Sequence, residues 1–225
     1  MVGTTADGAV RTITLDRPEK RNALTRETLR DLESTLADAT APVVVLRGAG
    51  EAFCAGADLD VIAGLDADAA GEFAALGQHV ARTIEGYDGA VVAAVDGAAR
   101  GGGVELALAC DLRVATPAAT FAETGVRLGL FGAWGGTVRL PRIVGESAAM
   151  DLALTGRTVD ATEALRLGLV SRVTDEPRQV ASELAAVDHG ALRTVKGLLR
   201  DGGDREQREA RERAAFAELI AARED

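Results

Sequence analysis

Two stretches of small residues are the most chemically informative parts of this chain. Ala52–Leu59 reads AFCAGADL, and Gly101-Gly102-Gly103 stands between a candidate strand and an apolar helix that contains Glu105. Small side chains let a ligand approach main-chain N–H groups closely. Amides at a helix N-terminus also point outward and carry the positive end of the dipole. Two such donors converging on one oxygen would make an oxyanion hole, in which each donor is worth about 2.7–4 kcal/mol of transition-state stabilisation. Taken alone, each turn also fits simple tight packing. Glu105 reads two ways on local grounds: a carboxylate favoured by the helix dipole, or a partly buried general acid or base beside an anion site.

The glycine run is not a nucleotide loop. No Gly-Lys-Ser/Thr follows it, and Leu106 stands where the third glycine of a G-x-G-x-x-G pattern would fall. His79 and His189 have no clustered partners, so the expectation is no metal site, and His79 reads as structural. Gly145–Ala149 only faintly resembles a nucleophile elbow, because its final glycine is absent; Ser147 reads as a helix start. Asp58 and Asp111 read as partners of nearby backbone.

The elements that position these residues alternate between strand and helix. Val10–Leu15 has the period of a half-buried strand, and Thr25 precedes a helical pattern through Leu29, Leu32 and Leu36. Val43–Leu46 reads as a buried strand, Glu51–Asp60 as a loop, and about Ala69 to Glu85 as a helix. Val91–Val95 is another buried strand. It leads through a turn at Asp96–Gly103 into the helix Val104–Ala109 and a strand near Leu112–Ala115. This order predicts an α/β fold with right-handed crossovers. From Ala148 onward the pattern is mostly helical. In the last segment, Asp204–Asp225, the pairs Asp204/Arg208, Arg205/Glu209 and Glu209/Arg213 have i,i+4 spacing, and Phe216, Leu219 and Ile220 share one face. That segment reads as a solvated helix or as one docked through its apolar stripe.

Composition narrows the function classes. The 225 residues suit one domain with a short appendage, here a core over residues 1–190 and a helical segment over 191–225. Alanine supplies 44 residues and aromatics only 3%, so the core is built from small and aliphatic side chains. A net charge of −10 argues against nucleic acid or an anionic membrane as partner, while leaving room for a local cationic pocket. The amino terminus lacks the basic and apolar regions of a signal peptide, and no stretch is apolar enough to span a membrane. Cys54 and Cys110 read as two reduced thiols in a cytoplasmic protein.

Five motifs in order resemble the crotonase, or enoyl-CoA hydratase/isomerase, superfamily. They are LDRPEKRNAL (Leu15–Leu24), AFCAGADL (Ala52–Leu59), AVDGAARGGGVELALACDLRVA (Ala94–Ala115), LGLFGAWGGTVRLPRIVG (Leu128–Gly145) and TGRTVDATEALRLGLVSRV (Thr155–Val173). The similarity runs from about Val10 to Arg200. It implies a repeated β-β-α superhelix with a helical C-terminal region, assembled as a homotrimer or hexamer. It also implies an acyl-CoA substrate whose thioester carbonyl develops enolate charge, with coenzyme A entering as part of that substrate and no separate cofactor. By motif position, the oxyanion donors are the N–H groups of Ala57 and Gly102. Ala55 and Gly56 line the coenzyme A site, with Lys20 and Arg21 as candidate phosphate contacts. Trp134 is a candidate for the acyl pocket and equally for core packing.

The acid/base residues depart from the family pattern. Glu105 matches one of two catalytic glutamates, but the position of the second holds Gly125 within FAETGVRLG, Phe121–Gly129. If that segment is extended, residues 123 and 125 face the same way, which makes Glu123 a candidate substitute. The resemblance therefore implies an enoyl-CoA hydratase or double-bond isomerase. Decarboxylation, thioester hydrolysis and a catalytically weak acyl-CoA-binding subunit are the alternatives. Family members usually continue into a further helix, so a shortened C-terminal lid is also expected.

Overall fold

The computed structural model describes residues 1–223. Its strands are β1 (Val2–Asp7), β2 (Val10–Leu15), β3 (Val43–Gly48), β4 (Ala52–Cys54), β5 (Ala90–Val95), β6 (Ala98–Arg100), β7 (Leu112–Ala115), β8 (Thr120–Ala122), β9 (Val159–Asp160) and β10 (Arg172–Val173). Its helices are α1 (Arg26–Ala37), α2 (Leu59–Ala63), α3 (Ala67–Glu85), α4 (Gly102–Ala109), α5 (Gly136–Val144), α6 (Glu146–Thr155), α7 (Ala161–Arg166), α8 (Gln179–Ala185), α9 (His189–Arg200) and α10 (Arg205–Ala221).

The strands form two sheets. The larger runs β1-β2-β3-β5-β7-β10 and the smaller β4-β6-β8-β9. Each of β3/β4, β5/β6 and β7/β8 sends its first strand to the larger sheet and its second to the smaller, and helices then return the chain. This is the expected β-β-α repeat. In the larger sheet every pairing except the β1–β2 hairpin is parallel. Parallel strands are covered on both faces, and the side chains show it. Val44, Leu46, Val91, Ala93 and Val95 face the main core, while Val43, Val45, Val92, Ala94 and Val114 face a second layer closed by Val180 and Ala181 of α8. Thr25 caps α1 by accepting from the Thr28 N–H at 3.2 Å, and Leu29, Leu32 and Leu36 are buried as the spacing predicts.

Several expectations need correction. The expected loop at Glu51–Asp60 contains β4 and the start of α2, and the expected turn at Asp96–Gly103 contains β6 and the start of α4. The two three-residue strands pair in parallel with each other, and such short runs carry no readable alternation. The amino terminus forms β1, whose polar VGTTAD sequence sits on a sheet edge. The region after Ala148 also holds the two-residue strands β9 and β10. In α10, Asp204 spends its carboxylate on capping, accepting from the Gln207 N–H at 2.9 Å. Among the described residues, none of the three i,i+4 pairs closes as an ion pair. Phe216 and Ile220 are exposed. His79 also lies on an exposed face, 2.8 Å from Glu33. Asp58 and Asp111 do bond backbone, accepting from the N–H groups of Asp60 and Val91.

Candidate active site

The first loop leaves β4 and is pinned from the amino-terminal turn. Asn22 is only 1% exposed, and its side-chain amide donates to the carbonyls of Ala49 at 2.9 Å, Ala52 at 2.8 Å and Phe53 at 3.3 Å. Its own backbone is left-handed, φ 58°, a conformation asparagine tolerates better than most residues. The Ala55 N–H donates to the Arg21 carbonyl at 2.9 Å, and the Leu24 N–H to the Gly56 carbonyl at 2.8 Å. Asp58 closes the loop by capping α2 and pairing with Arg17 at 3.1 Å. Burial pushes the Asp58 carboxyl up, yet the Asp60 N–H and the Arg17 guanidinium hold it below its ordinary value.

The second loop crosses directly over the first. Gly56 has φ 86°, and a Cβ built on it would stand 2.6 Å from the Arg100 carbonyl and 3.1 Å from the Gly102 nitrogen. Only glycine fits there. Gly102 is the first residue of α4, so its N–H has no acceptor within the helix. The Ala57 N–H likewise has no backbone acceptor among the described residues. Two unspent amides therefore lie on two loops in direct contact.

Glu105 is the third part. It is 1% exposed, and its Oε1 accepts from the N–H groups of Trp134 and Gly136, each at 2.7 Å. Burial raises its pKa, while those two amides and the Arg139 guanidinium work against the rise. Arg139 is held in turn by Glu85 at 2.7 Å and by the Trp134 carbonyl at 3.2 Å. The sequence pointed to Glu105 but not to this clamp. Its only trace in the chain is the Gly-Ala-Trp-Gly-Gly run, which does not say which amides are used. The role of Asn22 likewise has no local signal beyond its place in LDRPEKRNAL.

These parts share one cleft of about 280 Å³. Ala55, Gly56, Ala57, Gly102, Glu105 and Trp134 all line it, and Leu59, Ile62, Leu65 and Phe73 supply an apolar wall. Trp134 borders the cleft and is also buried, edge-on against Phe73 with ring centroids 5.5 Å apart. Lys20 and Arg21 lie outside the cleft lining. Lys20 pairs with Asp60 at 3.1 Å beside α2, and Arg21 is the left-handed residue that ends a 3₁₀ turn at Pro18–Lys20.

Glu123 departs from the expected geometry. The chain stops being extended at Ala122 and enters a 3₁₀ helix over Thr124–Leu128. The equivalence of positions 123 and 125 is thereby lost. Gly125 borders the cleft, and a Cβ there would meet the Phe131 backbone at 2.9 Å. Glu123 lines an adjoining cavity instead. It is 8% exposed, and neither carboxyl oxygen has a hydrogen-bond partner. Burial, reinforced by the nearby Glu105 charge, pushes it up to about 9.

The profile of the enoyl-CoA hydratase/isomerase family matches residues 5–219. The chain belongs to that family. It is an enzyme of the hydratase/isomerase type. A crotonyl-CoA hydratase of Syntrophomonas wolfei is 38% identical over 199 residues, covering 84% of this chain and 76% of the relative. A short-chain-enoyl-CoA hydratase of Clostridium acetobutylicum is 39% identical over 186 residues, covering 80% and 71%. The crystal structure of an enoyl-CoA hydratase from Bacillus anthracis superposes with a TM-score of 0.93 at 32% identity, over 98% of this chain and 91% of that one. Family membership agrees with the paired loops and with Glu105. Among the described residues no group of three metal-ligating side chains is present, and no helix is long and apolar enough to cross a membrane.

Proposed function

We propose that the protein acts on enoyl-CoA thioesters through an enolate and favours double-bond isomerisation, with Glu105 as the single proton carrier. The observation behind this reading is the carboxyl of Glu105. One oxygen is fixed by two amides, and the group borders the same cleft as the free Ala57 and Gly102 N–H groups. The thioester oxygen sits between those two donors, which stabilise it as charge develops. Glu105 takes a proton from the α-carbon of a 3-enoyl thioester. The double bond shifts into conjugation, and the same carboxyl returns the proton at the γ-carbon. No water is consumed and no second carboxyl is needed. Burial raises the Glu105 pKa, which makes its carboxylate a stronger base than an exposed one.

Water addition in this family uses a second glutamate, and here that position is Gly125. Glu123 borders a different cavity, which supports isomerisation over hydration. In this reading coenzyme A enters only as part of the substrate, Ala55 and Gly56 lie along it, and Lys20 and Arg21 meet its phosphates. Assembly as a homotrimer or hexamer is part of the same reading. Two unpaired buried thiols suit a reducing cytoplasm.

The test is direct. Initial rates with a 3-enoyl-CoA and with crotonyl-CoA are compared at equal concentration. Faster conversion of the 3-enoyl thioester supports the proposal. Faster hydration of crotonyl-CoA overturns the preference, and no turnover of either overturns the reaction class.

A further inference from the structure

The cavity beside Glu123 has a volume of about 480 Å³, larger than the reaction cleft. Its wall is mostly apolar, built from Val126, Leu140, Ala149, Met150 and Leu154. Thr137 and Glu146 are the other polar side chains on it, and both are exposed. Phe131 and Gly132 border both cavities. Gly132 also lies against the Glu105 carboxyl, since a Cβ there would stand 2.8 Å from Glu105 Cδ. The two spaces therefore adjoin at Phe131 and Gly132, beside Glu105.

We propose that this chamber receives the distal part of an acyl chain carrying a hydroxyl group, which Glu123 recognises by hydrogen bonding. The inference rests on the acyl-CoA reading above and adds a substrate class to it.

Glu123 is buried on the chamber wall without a hydrogen-bond or ion-pair partner among the described residues. A buried carboxyl with no cation beside it stays protonated and offers one donor and one acceptor. A hydroxyl carries the same pair and is neutral. A plain alkyl end that fills the chamber leaves both Glu123 oxygens unpaired, at a cost in free energy. A carboxylate end would bring like charge toward Glu105 and would itself be buried without a cation. The isomerisation scheme above gives Glu123 no proton to move.

The test uses saturated acyl-CoA thioesters, which bind without reacting. A series of short to medium chain lengths, each with and without a terminal hydroxyl, is titrated calorimetrically into the whole protein. At the length that reaches Glu123, the hydroxyl is expected to tighten binding about tenfold. Glu123→Leu should abolish that gain, and Glu123→Gln should retain part of it, because an amide still donates and accepts. Should Glu123→Leu fail to fold, Ala153→Trp fills the chamber from α6 and should also remove the gain. No hydroxyl effect at any length overturns the proposal, as does an effect that survives Glu123→Leu or, should that variant not fold, Ala153→Trp. The outcomes separate from those of the reaction itself. Turnover of enoyl-CoA without hydroxyl selectivity refutes only this inference, whereas hydroxyl selectivity without turnover upholds it and refutes the reaction.

Discussion

The Arg139 guanidinium lies 2.7 Å from the Glu85 carboxylate and, through its other terminal nitrogen, 3.2 Å from the Trp134 carbonyl. It therefore ties α3 to the turn whose amides grip Glu105. Burial pushes the Glu85 carboxyl up, and Arg139 with neighbouring cations more than offsets this. Arg139→Leu is expected to lower unfolding free energy by about 1–3 kcal/mol, seen as a lower urea midpoint. Arg139 also lowers the Glu105 pKa, so its loss should move the acidic limb of the pH–kcat/KM profile to higher pH. An unmoved limb would rule out that electrostatic link.

Glu105→Gln should preserve the clamp, because an amide oxygen still accepts from Trp134 and Gly136. It cannot carry a proton. Turnover should fall about 10²–10⁴-fold while the melting temperature hardly changes. Full activity in this variant would remove Glu105 from the mechanism.

Asn22→Ala removes three donated hydrogen bonds and places alanine in a left-handed conformation. A loss of about 1–3 kcal/mol is expected from leaving buried carbonyls unpaired. The loop carrying the Ala57 amide loses its anchor, so kcat/KM should fall even at temperatures where the variant is fully folded. Denaturation and steady-state kinetics at low temperature separate the two effects.

Glu123 predicts how stability depends on pH. Its carboxyl rises from an ordinary 4.5 to about 9 on folding. The folded state therefore holds a proton that the unfolded chain releases above 4.5. Unfolding free energy should fall as pH rises from 4.5 toward 9, by up to about 1.4 kcal/mol per pH unit, and then level off. Glu123→Gln should flatten this slope. Urea titrations across the range measure it, and equal slopes in both proteins would contradict the assignment.

Cys54 and Cys110 are buried, and burial pushes each thiol up to about 12. Neither should react with iodoacetamide in the native protein, and both should react in denaturant. Mass spectrometry reads the number of adducts.

Much of this arrangement is legible in the chain itself, and the rest fails for identifiable reasons. The buried strands β3 and β5, and helix α1 with its Thr25 cap, are long enough for periodicity and capping to declare them. The strands β4 and β6 are three residues each and exist because they pair with one another, a relation no local window contains. Glu105 stands out as an acid on an apolar helix. The amides of Trp134 and Gly136 that hold it do not, because every residue except proline has an N–H and the fold decides which are used. Residues 123 and 125 share a face only if the chain there is extended, and the 3₁₀ turn that begins at Thr124 removes that equivalence.

The donors of Ala57 and Gly102 belong to the main chain and not to side chains. Only a change to proline deletes such a donor outright, whereas any replacement can delete the function of a histidine or an arginine. Other substitutions can only displace the loops, through residues such as Asn22 or Gly56. In the proposed mechanism the charge-stabilising half is thus largely shielded from ordinary mutation, proline aside, whereas its proton-moving half rests on a side chain that one nucleotide can exchange. A lineage built this way can trade one reaction for another by editing the carboxyls around a fixed socket, and the glycine at position 125 is what such an edit would look like.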